Sequence, residues 1–268
     1  MLISKHAYAP IALFDSGAGG ISVLQEVQKL LPREQLLYFG DNKNAPYGER
    51  SDADVLQLTQ TAAKRLIPQS KALVLACNTA TAVAADILRR SYPDFPIIGM
   101  EPALLPALRT AERPKIAVLA TAATLRSKRF EILCEKYAKN ATVWRISAPE
   151  MVRMVEVGLA DSAQMEQYLH TVFSALPTRP DAVVLGCTHF PFAAAAIERV
   201  LPSVPLFDGA AGTARELARR LQAEVLLSPA SKGGISLQTS APAALPLLTR
   251  LLQYRYPNGK REEETYAP

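Results

Sequence analysis

Along the chain, short apolar runs recur, each followed by a turn of small or polar residues and then by a segment whose apolar positions repeat at helical spacing. The first run, Ile11-Ala12-Leu13-Phe14, ends in Asp15-Ser16-Gly17-Ala18-Gly19-Gly20, which reads as a strand entering a glycine-rich turn. Beyond it Ile21, Leu24, Val27 and Leu31 predict a helix that Pro32 closes. Residues 36–40 read as a second strand, and 41–50 (DNKNAPYGER) as a polar loop. Ser51 or Asp52 then caps a helix with Val55, Leu58, Ala62 and Leu66 on one face, ended by Pro68. The apolar run at 72–76 delivers Cys77.

Strands alternating with helices at these lengths predict βαβ units and a doubly wound parallel sheet. Ligands of such sheets lie at the carboxyl ends of the strands, where Asp15 and Cys77 fall. The second half of the chain echoes the first. KALVLACNTAT resembles DAVVLGCTHFP, with Cys77 and Cys187 110 residues apart. PIALFDSGAGG is echoed by KIAVLATAATL at an offset of 105, and PIIGMEPA by PLFDGAAG at an offset of 109. Three echoes in one order point to duplication. The expected fold is therefore α/β, two similar doubly wound parallel-sheet domains related by pseudo-symmetry, with an active site in the cleft between them. The expected boundaries are 1–98 with 208–255 for the first domain and 99–207 for the second, leaving 256–268 as a mobile tail.

Composition narrows the class. The chain has 268 residues, 49% hydrophobic and 21% charged, enough apolar material for substantial cores. Its three cysteines are too few and too widely spaced for a disulfide scaffold, so a reducing cytoplasm is expected. No run is long and apolar enough to predict a membrane span, and the N-terminus lacks the pattern of a secretion signal. The net charge of +5 invites a nucleic-acid reading, but the basic residues occur only as scattered pairs such as Arg89-Arg90 and Arg219-Arg220, which predicts no such partner. With three histidines, His6 and His170 far from His189, no multi-histidine metal site is expected.

The candidate chemistry gathers at the strand ends. Cys77 precedes a predicted helix, whose positive end is expected to lower its thiol pKa toward neutrality, making it a base or nucleophile. Cys187 is its counterpart, and His189, two residues on, is placed to take up the thiol proton. Cys134 sits within a helical pattern and reads as a core residue. Gly17, Gly19 and Gly20, following Asp15 and Ser16, are expected to let a ligand carboxylate or phosphate approach backbone N–H groups. Pro46-Tyr47-Gly48 forms another rigid turn with donors. Two thiols facing one another across a cleft suit removal of a proton from one side of a carbon and delivery of another from the opposite side, which inverts a stereocentre. No lysine stands at a motif position that would tether pyridoxal phosphate.

FDSGAGG, APYG, LACNTA, LATAAT and GCTHFP, in that order, resemble the cofactor-independent glutamate racemases of the aspartate/glutamate racemase superfamily. The resemblance spans about residues 11–221. It implies interconversion of L- and D-glutamate without a cofactor or metal, by a cytoplasmic homodimer that supplies D-glutamate to bacterial peptidoglycan synthesis. It implies that Cys77 serves the D-enantiomer, assisted by Asp15. Cys187 would serve the L-enantiomer, assisted by His189 and by Glu156 of MVEVG. Substrate-binding positions implied are Asp15, Ser16, Pro46, Tyr47, Gly48, Asn78, Thr79, Thr121, Thr188 and His189. The loop DNKNAPYG departs from the DTxxxPYG of many members. A racemase for aspartate or another amino acid, or a non-catalytic amino-acid-binding relative, stands as the alternative.

Overall fold

Every apolar run forms a parallel strand in the computed structural model, which describes residues 5–256. In chain order the strands are β1 (Ile11–Asp15), β2 (Gln35–Gly40), β3 (Ala72–Leu75), β4 (Ile97–Gly99), β5 (Lys115–Ala120), β6 (Thr142–Ser147), β7 (Ala182–Gly186), β8 (Leu206–Asp208) and β9 (Gly234–Thr239). The helices of the first half are α1 (Ile21–Leu30), α2 (Asp52–Leu66), α3 (Asn78–Ser91) and the short α4 (Leu104–Ala107). There follow α5 (Ala122–Arg126), α6 (Lys128–Tyr137), α7 (Pro149–Glu156), α8 (Ala163–Ser174), α9 (Ala194–Val200), α10 (Ala210–Ala223) and α11 (Leu245–Leu252). Hydroxyl caps start several of them: Ser51 accepts from Asp54 N, Ser127 from Phe130 N and Ser162 from Met165 N.

The strands form two all-parallel sheets, ordered β4-β3-β1-β2-β9 and β6-β5-β7-β8. Removing β9 leaves β2-β1-β3-β4 in the first, the same arrangement as β6-β5-β7-β8 in the second, so the sequence echo is also an echo of topology. β1, β3 and β7 are buried at every residue, as covered parallel strands require, whereas the edge strands β6 and β9 are only partly covered. After β8 the chain enters α10, which packs on α1, and β9 then pairs with β2.

One apolar core runs through both sheets. Leu13, Ile21 and Leu24 belong to the same buried cluster as Leu119, Met151, Val155 and Phe190, so the two lobes share packing beneath the cleft. Tyr256, the first residue of the expected tail, lies against Phe192 and Tyr254. The remainder of that tail lies outside the described residues.

At the amino ends of the strands a buried ion pair fastens the first sheet. Lys71 Nζ lies 2.5 Å from Glu34 Oε2, with side chains 0% and 3% exposed. Lys71 also donates to the carbonyls of Ala7 and Leu226, and Glu34 Oε1 accepts from Ser228 N. Burial holds the Lys71 pKa below the ordinary lysine value despite the carboxylate beside it. Breaking one side of such a pair leaves an uncompensated charge. Lys71→Met is therefore expected to cost about 3–5 kcal/mol in urea unfolding, with part recovered by adding Glu34→Leu. A single variant within about 0.5 kcal/mol of wild type, the scatter of surface changes, would show that no uncompensated buried charge is left behind.

Candidate active site

Cys77 stands two residues beyond β3 and caps α3. Ala80 N donates to its Sγ at 3.4 Å, and the thiol donates to Ser16 Oγ at 3.4 Å. Cys187 follows β7 directly, but the chain then enters a 3-10 turn, Phe190–Ala193, with Pro191 near its start. In place of a helix-end N–H, Cys187 Sγ has His189 Nδ1 at 3.7 Å. The two cysteines line one cavity with Ser16, Pro46, Tyr47, Gly48, Asn78, Thr79, Thr121, Thr188 and His189. Its volume is about 10 Å³, room for about one water.

Contacts across the cleft hold it shut. Thr188 Oγ1 donates to Asp15 Oδ2 at 3.0 Å, Ser22 Oγ donates to Thr188 O at 3.1 Å, and the hydroxyls of Thr79 and Thr121 are 2.9 Å apart. Arg153 of α7 also pairs across the cleft with Glu49 of the PYGE turn, at 2.5 Å. Asp15 and Glu156 do not line the cavity; they stand behind it. Asp15 is fully buried and accepts from Gly17 N at 2.8 Å. Glu156 ends α7 and accepts at Oε1 from Ala18 N at 2.7 Å and from His189 Nε2 at 2.6 Å.

The glycine turn thus receives a carboxylate, but it is the protein's own. A Cβ at Gly17 would fall 2.1 Å from Glu156 Oε1, and one at Gly19 would fall 2.5 Å from His189 Nδ1 and Thr188 Oγ1. The glycines serve the approach of the second lobe to the first rather than the approach of an external anion.

Burial dominates the electrostatics of the site. Burial, reinforced by the charge of Asp15, pushes the Cys77 pKa up to about 12, against its hydrogen bonds with Ser16 and Ala80. The expectation that the helix end draws this thiol toward neutrality is overturned here, because desolvation outweighs one helix terminus. Burial likewise raises Asp15, only partly opposed by His189, Gly17 and Thr188. For His189, burial opposes charging, but the hydrogen bonds and charges of Cys187 and Glu156 outweigh it and hold the ring well above 6.5. Glu156, also disfavoured as an anion by burial, is held below 4.5 by His189, Ala18 N and Asn42. At neutral pH protons therefore reside on the Cys77 thiol and on both nitrogens of His189.

Three further residues belong to this arrangement and were not singled out in the sequence. Val152 lines the cavity one helical turn before Glu156, a spacing that periodicity alone would have exposed. Gly186 lines it as the last residue of β7. Asp41 accepts from Tyr47 Oη at 2.7 Å and from Asn44 Nδ2 at 3.0 Å, fixing the Pro46-Tyr47-Gly48 turn from within its own loop. Among the described residues no group of three or more His, Cys, Asp or Glu is placed to hold a metal ion, and no helix is long and apolar enough to cross a membrane.

Beside this fold and site stands a match to a known family, the Asp/Glu/Hydantoin racemases. Residues 18–217 match that family, and the chain belongs to it: it is a racemase, an isomerase. Glutamate racemase of Clostridium acetobutylicum is 43% identical over 234 residues, 86% of this chain and 91% of the relative. The crystal structure of glutamate racemase from Francisella tularensis in complex with D-glutamate superposes with a TM-score of 0.80 at 29% identity, covering 92% of this chain and 95% of the other. That of the Escherichia coli glutamate racemase in complex with L-glutamate and the activator UDP-MurNAc-ala gives 0.76 at 32% identity, covering 91% and 95%.

The His189–Glu156 pair carries a pH signature. A raised His189 pKa stabilises the fold fully below about 6.5 and progressively less as pH rises through the folded value. A depressed Glu156 pKa stabilises fully above about 4.5 and is lost as pH falls through its folded value. His189→Asn is thus expected to cost most stability between these limits, with the gap to wild type narrowing in alkali. Urea unfolding at pH 5.5 and 9.5 measures this, and an equal gap at both would contradict the pairing.

Proposed function

We propose that the chain interconverts L- and D-glutamate by proton transfer at Cα between two thiols, without a cofactor, supplying D-glutamate for peptidoglycan. The observation that carries this reading is that Cys77 and Cys187, from equivalent strand ends of the two sheets, line one cavity. On the same cavity, Asn78 is 4% exposed and neither its Oδ1 nor its Nδ2 has a partner. A buried amide so placed costs about 1–3 kcal/mol, and the α-ammonium and α-carboxylate of an amino acid supply the donor and acceptor it lacks. Relatives crystallised with L-glutamate and with D-glutamate support the choice of substrate. The cytoplasmic homodimer belongs to the same proposal and rests on the family resemblance.

In the L-to-D direction, Cys187, with His189 Nδ1 beside its sulfur, is the base: as the thiolate it takes the Cα proton, becoming a thiol. The electron pair left at Cα spreads into the α-carboxylate. Cys77, held as a thiol by its burial, gives its proton to the opposite face and becomes a thiolate. The reverse reaction exchanges the roles and restores the starting protonation. Asp15, buried near Cys77, raises the energy of that thiolate and so favours its taking a proton from the D-enantiomer.

Incubation with L-glutamate in deuterated water is expected to give D-glutamate carrying deuterium at Cα. Neither Cys77→Ser nor Cys187→Ser should sustain net racemisation, with losses of at least 10³-fold, about what removal of a general acid–base costs. Absence of deuterium and of optical change in the wild type, or faster turnover of aspartate than of glutamate, would refute the proposal.

A further inference from the structure

Asn42 stands where the chain departs from the DTxxxPYG pattern, and the structure gives its side chain a specific task. Its Nδ2 donates to Glu156 Oε2 at 3.0 Å, while its Oδ1 accepts from Thr239 Oγ1 at 2.8 Å. The orientation of the amide is fixed by chemistry: the ionised Glu156 carboxylate only accepts, so the NH₂ faces it. Thr239 closes β9 in register with Gly40 of β2, and Ala241 N donates to the same hydroxyl at 3.1 Å, so the anchor belongs to the first sheet. Glu156 belongs to the second lobe, 114 residues away in sequence.

This arrangement divides the two oxygens of Glu156. Oε2 is engaged by Asn42, leaving Oε1 to Ala18 N and His189 Nε2. A carboxylate fixed at one oxygen cannot rotate about its terminal torsion without losing that bond, and His189 is thereby held with Nδ1 toward Cys187. We propose that Asn42, backed by Thr239, is a positioning residue for the Cys187 half of the reaction, setting Glu156 and through it the proton that His189 holds beside the thiol. The inference rests on the two-thiol reading above. The titratable groups facing Glu156 are His189, with Cys187 behind it, Asp15 from β1 and Tyr38 from β2. Among them only His189 offers it a proton in a direct hydrogen bond, so loss of the Asn42 donor acts on the Glu156–His189 pair.

The test compares wild type with Asn42→Ala, Asn42→Asp and Thr239→Val in two readouts, with thermal melting to confirm that each variant is folded. In glutamate racemisation, Asn42→Ala should lower kcat/KM about tenfold, the order expected for a lost hydrogen bond to a charged group. The fall must be equal in both directions, because the enantiomers have equal free energy. The acid limb of the pH profile should move to higher pH, furthest for Asn42→Asp, which sets a like charge against Glu156, and least for Thr239→Val. In NMR of the imidazole resonances, the acid-side transition of His189, one of three histidines in the chain, should move in the same order without any need for turnover. Unmoved limb and transition in both Asn42 variants overturn the inference, whatever happens to kcat/KM. If wild type exchanges no Cα proton while the His189 transition still moves, the racemase reading fails and the positioning by Asn42 stands. If wild type racemises and the transition does not move, the positioning alone fails.

Discussion

The site depends on one carboxylate that belongs to one lobe and is solvated by the other. Glu156 ends a helix of the second half, yet two of its three hydrogen-bond donors, Ala18 N and Asn42 Nδ2, come from the first. A carboxylate that closure takes out of water must find such donors in exchange, so it tolerates only the placement of the lobes that supplies them. Closure in turn brings His189 over the glycine turn, Thr188 onto Asp15 and Thr79 against Thr121. The shared apolar core beneath joins the lobes, but apolar contact is non-directional, and the carboxylate is what selects one relative placement.

Duplication supplied matched strand ends, and the two ends have since been furnished differently. Cys77 has a helix terminus and a neighbouring hydroxyl, and burial keeps its proton on. Cys187 leads into a 3-10 turn in which Phe190 N donates to the cysteine's carbonyl, and an imidazole stands beside the sulfur instead. The backbone symmetry is thus retained where it places sulfur on either side of a cavity and relaxed where it would have made both sulfurs alike.

Much of this was legible in the sequence because it is local or repeated. Apolar runs gave the strands, and their echo gave two sheets of the same order. The positions Asp15, Cys77, Cys187 and His189 follow from strand ends alone. What stayed hidden needs distance information. The helix end at Cys77 is visible in the pattern LACNTA, whereas the burial that overrides it is not. The glycine turn signals close approach, but not that the approaching group is Glu156, since nothing in SGAGG specifies a partner in MVEVG. Asn42 looked like a harmless departure in a polar loop, because its two partners lie in β9 and α7, far along the chain.

Gly19 carries a lesson about how such a cleft is encoded. The volume that any side chain would take there is occupied by the ring and backbone of His189 from the opposite lobe. A methyl group at this point would collide with the opposite lobe, so the halves meet here only because the residue has no side chain. In this protein the reaction chamber is written into the chain partly as a missing atom.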